Sequence, residues 1–132
     1  MTELNVEIVT PDGIVFTGEV TACTAPGAKG QFQMLTGHAP FFANIQIGEI
    51  KIEKHDGSRI IATSGGFLEV KDNNISIIVE SGEFADDIDV ARAKEAEERA
   101  RKRLEDKGDI DLIRADFALL RALNRLKVSS QI

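Results

Sequence analysis

Residues 82–104 read GEFADDIDVARAKEAEERARKRL, and the composition of the chain changes inside this stretch. Ten of the eleven glycines and all three prolines precede Glu83. After Phe84 the chain consists largely of Ala, Glu, Arg, Lys and Leu, which are good helix formers. The sequence therefore predicts two parts, a β domain at residues 1–84 and a helical segment at residues 85–132.

The first part has the pattern of many short strands. Apolar residues alternate with polar ones at positions 4–8, which is typical of a strand with one buried face. Turn signals recur at 11–13, 26–30 and 72–74, and Asp56-Gly57 is a strong hairpin signal. About ten short strands with turns between them predict an antiparallel β-sandwich.

The second part has the pattern of two helices. Asp87 is the expected N-cap of the first helix, and Asp106-Lys107-Gly108-Asp109 is the expected break before a second helix at 110–128. A short break makes the two helices antiparallel neighbours. Their expected apolar faces are Ala93, Ala96, Ala100 and Leu104 on the first helix, and Leu112, Ala115, Leu119, Leu123 and Leu126 on the second. Such a hairpin buries little by itself, so we expect it to dock on another surface.

Composition excludes several classes of function. The net charge is −6, and all of this acidic excess falls within residues 1–85, which argues against nucleic acid as a partner. Cys23 is the single cysteine, so no intrachain disulfide can form, and with His38 and His55 it gives no zinc-ligand spacing. No apolar run approaches the roughly 20 residues that cross a bilayer, and residues 1–11 have no signal-peptide pattern. We expect no metal and no required cofactor, and a chain that is cytosolic or sits on a membrane only through a partner.

Four motifs in order carry a family resemblance. They are TPDG at 10–13, GHAP at 37–40, SGGFLEV at 64–70 and DIDVARA at 87–93. Together they resemble the epsilon subunit family of bacterial F-type ATP synthases over nearly the whole chain. The resemblance implies a non-catalytic subunit of the rotor stalk at the cytoplasmic face of the cell membrane. It also implies a gamma subunit and a ring of c subunits as partners of the sandwich. The hairpin is then expected to extend toward the alpha/beta catalytic head and inhibit ATP hydrolysis.

The resemblance also implies a regulatory ATP site in the folded hairpin. Some bacterial members bind ATP through an Ile-Asp-x-x-Arg-Ala motif, which residues 88–93 match. An antiparallel hairpin is expected to bring the end of the second helix beside the start of the first. The residues expected to form the site are Glu83, Ile88, Asp89, Arg92, Ala93, Arg99, Arg121 and Arg125. From the residues alone, the arginines could equally form a solvated face with salt bridges to nearby acids.

Contact with gamma and the c ring is expected from four residues of the sandwich, namely Gln31, Phe32, His38 and Phe42. A neutral residue at Gln31 departs from the acidic one common in the family. His38 could instead be a turn residue with no role at an interface. Because side chains alternate along a strand, we expect one of Phe41 and Phe42 to enter the core.

Two other function classes remain open from the sequence. One is an enzyme, which lacks a recognisable nucleophile and base and has no GxxxxGK[ST] phosphate-binding loop. The other is a generic β-sandwich adaptor with a helical tail, although the apolar stripe is short and alanine-rich for a stable coiled coil.

Overall fold

The computed structural model describes residues 3–105 and 112–130. Its first part is a sandwich of two five-stranded sheets, as predicted. The strands are β1 (Leu4–Thr10), β2 (Gly13–Val20), β3 (Ala22–Gly27), β4 (Gly30–Met34), β5 (Phe41–Ile45), β6 (Gly48–Lys54), β7 (Gly57–Thr63), β8 (Gly66–Lys71), β9 (Asn74–Val79) and β10 (Gly82–Phe84). A 3-10 turn at Ala85–Asp87 follows, then helices α1 (Val90–Glu105) and α2 (Leu112–Ser129).

The strands form the orders β2-β1-β9-β8-β5, called sheet A, and β10-β7-β6-β3-β4, called sheet B. All pairs are antiparallel except β1 with β9, which run parallel, with Val6 opposite Ile75. Strand β2 runs unbroken through Gly18, which stands opposite Val6 of β1.

The core lies between the sheets and follows the alternation seen in the sequence. Leu4, Val6 and Ile8 of β1 are buried, and the polar residues between them are exposed. The free thiol of Cys23 is also in this core. Burial raises the pKa of Cys23 from its ordinary value of 9.0 to about 12, since a thiolate would lose its hydration there.

The glycine pair in the SGGFLEV motif is explained by close backbone contacts. Gly65 has a φ of +109°, and a Cβ at that position would lie 2.8 Å from the carbonyl oxygen of Ile45. A Cβ at Gly66 would lie only 2.0 Å from the carbonyl oxygen of Ile78. No other residue type leaves this space free, so the pair lets β8 enter sheet A between β5 and β9.

The helical hairpin is docked on the sandwich through α2. This helix contacts β6, β7 and the 3-10 turn, whereas the extensive contacts of α1 are with α2. The seam between the helices is built from small residues, with Ala93, Ala100, Ala115 and Ala122 all buried. Leu123, which is expected on the apolar face of α2, is 36% exposed and is not among the buried residues of this seam.

Other helix predictions have mixed outcomes. Asp87 is not the N-cap of α1, because it belongs to the 3-10 turn. The cap is Asp89, whose carboxylate accepts a hydrogen bond of 3.1 Å from the amide of Arg92. The predicted break at 106–109, the predicted helix start at residue 110 and the side chain of Leu112 lie outside the described residues.

Candidate functional site

A groove of about 450 Å³ lies between the sandwich and the hairpin. Its sandwich wall includes the β1–β2 turn and the strand ends near Ser64 and Ser81, and its helical wall is provided by Ala96, Ala118 and Ala122. Because the alanine side chains end at Cβ, the helices leave open space beside the strands. The volume falls within the range of about 300–1,000 Å³ typical of small-molecule sites.

Charged side chains converge at the helical end of this groove. Glu83, Arg121 and Arg125 all line it. Both nitrogens Nε and Nη2 of Arg125 donate to the carboxylate of Glu83, the second over 3.3 Å. The two side chains are 29% and 34% exposed, so the ion pair is only partly screened by solvent. Arg121 is exposed and forms no ion pair within the described part of the chain.

The other residues expected at an ATP site occupy different positions. Ile88 is buried against Ala62, Ala85 and Val128, so in this state its side chain packs the hairpin against the sandwich. Ala93 is buried in the helix seam. The side chains of Arg92 and Arg99 are exposed on α1 and do not line the groove. The structure thus brings together Glu83, Arg121 and Arg125, and leaves Arg92 and Arg99 outside that cluster.

Sequence reasoning missed the residue that ties α2 to the strands. The side-chain amide of Asn124 donates to the carbonyl oxygens of Gly48 at 2.7 Å and of Thr63 at 3.4 Å. These two carbonyls belong to neighbouring ends of β6 and β7. The only sequence signal was a polar residue adjacent to Arg125 on a helix with an apolar face.

The four residues expected to contact gamma or the c ring do not form one surface, since Phe32 and His38 share a neighbour in Phe41 and Phe42 lies apart. Gln31 is exposed at the start of β4, and Phe32 packs edge-on against Phe41 with ring centroids 5.4 Å apart. The ring of His38 also lies beside Phe41, with ring centroids 5.8 Å apart. Phe42 points the opposite way and is 64% exposed.

The prediction that Phe41 or Phe42 joins the core is wrong. Phe41 shares the inward side of β5 with Ile45, which is buried, but it lies past the end of the core and remains 40% exposed. Its ring rests instead on Phe32 and His38. The sequence correctly predicted that one of the two phenylalanines faces inward. It does not show where the opposite sheet ends, and therefore whether that residue is covered.

The outer face of sheet A carries an apolar row. Phe67, Ile78, Val9 and Ile14 stand opposite one another on four successive strands. Phe42 stacks on Phe67 with ring centroids 5.9 Å apart. Phe67, Ile78 and Ile14 are each more than half exposed, which makes this face a candidate contact surface.

Carboxylates occupy the next row of the same face. Glu69 of β8 stands between Phe42 of β5 and Ser76 of β9. Ser76 in turn stands opposite Glu7 of β1. Glu69 and Glu7 are both exposed. The face is therefore apolar on one side and acidic on the other.

Two family models match the chain in succession. The ATP synthase delta/epsilon chain β-sandwich domain matches residues 3–85, and the long α-helix domain of the same chain matches residues 86–130. The chain belongs to the ATP synthase delta/epsilon family. This membership confirms the resemblance found in the sequence.

Relatives in the family are similar over almost their whole length. The ATP synthase epsilon chain of Desulforamulus reducens is 42% identical over 124 residues, which are 93% of this chain and 94% of that one. The epsilon chain of Bacillus pumilus is 40% identical over 132 residues, covering 99% of this chain and all of that one. The prediction of a non-catalytic chain agrees with these family members, which are the epsilon chain of the complex and not its catalytic subunits.

Solved structures share the fold. A chain in the Euglena gracilis mitochondrial ATP synthase, solved as OSCP/F1/c-ring, superposes with a TM-score of 0.81 at 21% identity, over 94% of this chain and 79% of that one. A chain in the central stalk/c-ring of the Tetrahymena thermophila mitochondrial ATP synthase gives 0.61 at 16% identity, over 98% of this chain and 96% of that one.

The described residues also lack a membrane-spanning helix and a metal-binding cluster. Over residues 3–105 and 112–130, no helix has both the length and the apolar character needed to span a bilayer. The same residues contain no cluster of three or more His, Cys, Asp or Glu side chains placed to hold a metal ion.

Proposed function

We propose that this chain is a rotor subunit of a proton-translocating F-type ATP synthase, in which the sandwich joins the gamma subunit to the c ring. In that role it performs no catalysis and sits at the cytoplasmic face of the cell membrane only through the complex. Family membership and similarity to epsilon chains over nearly full length support the proposal.

The gamma subunit binds, in this proposal, on the outer face of sheet A. An apolar row flanked by Glu69 and Glu7 suits a partner with an apolar ridge and basic residues beside it. Phe42 belongs to this face, whereas Gln31 and Phe32 of β4, together with His38, are proposed to face the c ring.

Co-purification with gamma tests the docking face. Phe67→Asp places a charge in the middle of the apolar row and should reduce recovery of gamma at least tenfold, because the charge must be desolvated. Lys94→Asp, an exposed change on α1, is the matched control and should leave recovery unchanged. If both variants recover the same amount of gamma, sheet A is not the surface that binds gamma.

The hairpin regulates hydrolysis, in this proposal, by leaving the sandwich and reaching the alpha/beta head. ATP binds the folded form in the groove and so stabilises the form that does not inhibit. The single observation that carries this is the convergence of Arg121 and Arg125 on a groove that exists only while the hairpin is docked. A ligand that binds one of two states shifts the equilibrium toward that state.

An ATP titration of the isolated chain by calorimetry tests the nucleotide site. Arg121→Ala should weaken binding roughly tenfold, since a charge-assisted contact to phosphate is lost. Arg92→Ala tests whether the exposed arginine of α1 also reaches the nucleotide. Arg103→Ala, in the last turn of α1 and away from the groove, is the control. If the wild-type chain gives no binding heat, the proposal that ATP is a ligand is wrong. The rotor-subunit proposal is then still tested by co-purification with gamma.

A further inference from the structure

The outward face of α2 carries large apolar side chains that the hairpin does not use. Leu120 is 46% exposed and Leu123 is 36% exposed, while the seam against α1 is filled by Ala115 and Ala122. These two leucines are thus not part of the buried seam with α1. Two neighbouring apolar side chains exposed on one face of a helix offer a surface for a further contact.

Charged residues flank the two leucines in a symmetric spacing. Asp116 precedes Leu120 by four residues, and Lys127 follows Leu123 by four residues. On a helix with 3.6 residues per turn these four positions fall within an arc of about 60°. We call the four residues the α2 stripe. All are exposed, and neither charged member takes part in an ion pair within residues 3–105 and 112–130.

We propose that the α2 stripe binds the same stripe of a second copy of this chain, in an antiparallel pair across a two-fold axis. In this arrangement Leu120 meets Leu123 of the second copy, and Asp116 meets Lys127 of the second copy. Each contact then occurs twice, as in any interface that uses one patch on both subunits. A parallel pair would instead place like charges opposite one another, so the charges select the antiparallel form.

A cleft beside the stripe enlarges the surface. It has a volume of about 360 Å³ and lies between α2 and the β5–β6 turn at Gln46 and Ile47. Leu120, Leu123 and Lys127 of the stripe line its helical side. A contact of one helix with its copy is small compared with the roughly 1,200–2,000 Å² of a stable complex, so the dimer is weak and concentration-dependent. It would cover the apolar side of α2 in chains that have not joined a larger assembly.

Charge exchange tests the pairing by sedimentation equilibrium of the full chain. Asp116→Lys alone and Lys127→Asp alone each create two like-charge contacts and should weaken the dimer roughly tenfold. The double variant restores both ion pairs with reversed sign and should recover wild-type association. The two positions are eleven residues apart, about 16 Å along one helix, so recovery cannot come from a contact within one chain.

Two further variants complete the experiment. Leu120→Asp should abolish association, and Lys94→Asp, on the exposed side of α1, should leave it unchanged. Circular dichroism of each variant checks that helix content is retained. The proposal is overturned if the wild-type chain stays monomeric up to about 1 mM. The free energy of association would then be weaker than about 4 kcal/mol. A double variant that associates no better than the single ones also overturns it.

Discussion

The guanidinium of Arg125 on α2 forms a two-point ion pair with the carboxylate of Glu83 on β10. The pair joins the last strand of the sandwich to the last helix of the hairpin. It also occupies one of the two arginines that line the groove. In the docked hairpin, the carboxylate of Glu83 therefore neutralises the charge of Arg125.

Removing that carboxylate should loosen the docked hairpin. Glu83→Gln keeps the shape but loses the charge, and should cost about 1 kcal/mol of docking free energy, because the pair is only partly screened. Hydrogen exchange of α2 amides measures the effect as faster exchange. Glu97→Gln breaks an exposed pair within α1, with Arg101 at 3.3 Å, and serves as the control with a smaller effect. Equal rates in Glu83→Gln and wild type would mean that the ion pair does not hold the hairpin.

Asn124 should contribute more to docking than its single side chain suggests. Asn124→Ala leaves the carbonyls of Gly48 and Thr63 without this donor and should cost about 1–2 kcal/mol. Asn124→Asp should be worse, since it places a carboxylate against two carbonyl oxygens. Limited proteolysis of the hairpin measures both changes. If the aspartate variant were as resistant as wild type, the amide would not be the link between α2 and the strands.

Asp89 and Asp87 offer a matched pair for the helix cap. Asp89→Ala removes the acceptor for the amide of Arg92 and should destabilise α1 by about 1 kcal/mol. Asp87→Ala changes an exposed residue of the 3-10 turn and should cost only a few tenths. Thermal unfolding followed by circular dichroism at 222 nm compares them. If Asp87→Ala lowers the thermal stability more than Asp89→Ala does, Asp87 is the N-cap of α1.

The buried thiol should make stability fall at high pH. The pKa of Cys23 is raised by burial to about 12, so the folded chain keeps the proton at pH values where the unfolded thiol, with its ordinary pKa of 9.0, has lost it. The contribution of the thiol to stability is therefore complete below the ordinary pKa and is lost as pH rises toward 12. Urea unfolding at pH 7 and pH 10 should show a steeper decline for wild type than for Cys23→Ala. Parallel declines would show that the thiol does not contribute.

Local pattern predicted the strands and both helices, because alternation and turn residues act within a few positions. The details that it missed depend on contacts between distant segments. Asp87 is the cap expected from the sequence, but the cap in the structure is Asp89, which follows Ile88, a residue packed against Ala62 and Val128. Leu123 fits an apolar face in sequence, but the alanines of both helices fill the seam and leave it outside.

The candidate site was predicted only in part for the same reason. Glu83, Arg121 and Arg125 were identified through resemblance to a family, and the structure brings them to one groove. The link through Asn124 could not be predicted, because its partners are backbone carbonyls that all residues have. The apolar row on sheet A also depends on the order of the strands, which the sequence pattern does not define.

The parallel pairing of β1 with β9 has a consequence for synthesis of the chain on the ribosome. Asn5 stands opposite Asn74, so one edge of the first strand to emerge waits for almost the last strand of the sandwich. At about 5–20 residues per second, that edge stays unpaired for several seconds of translation. The nascent sandwich is therefore the stage at which this chain is most open to wrong strand pairing, and the stage at which a chaperone has most to protect.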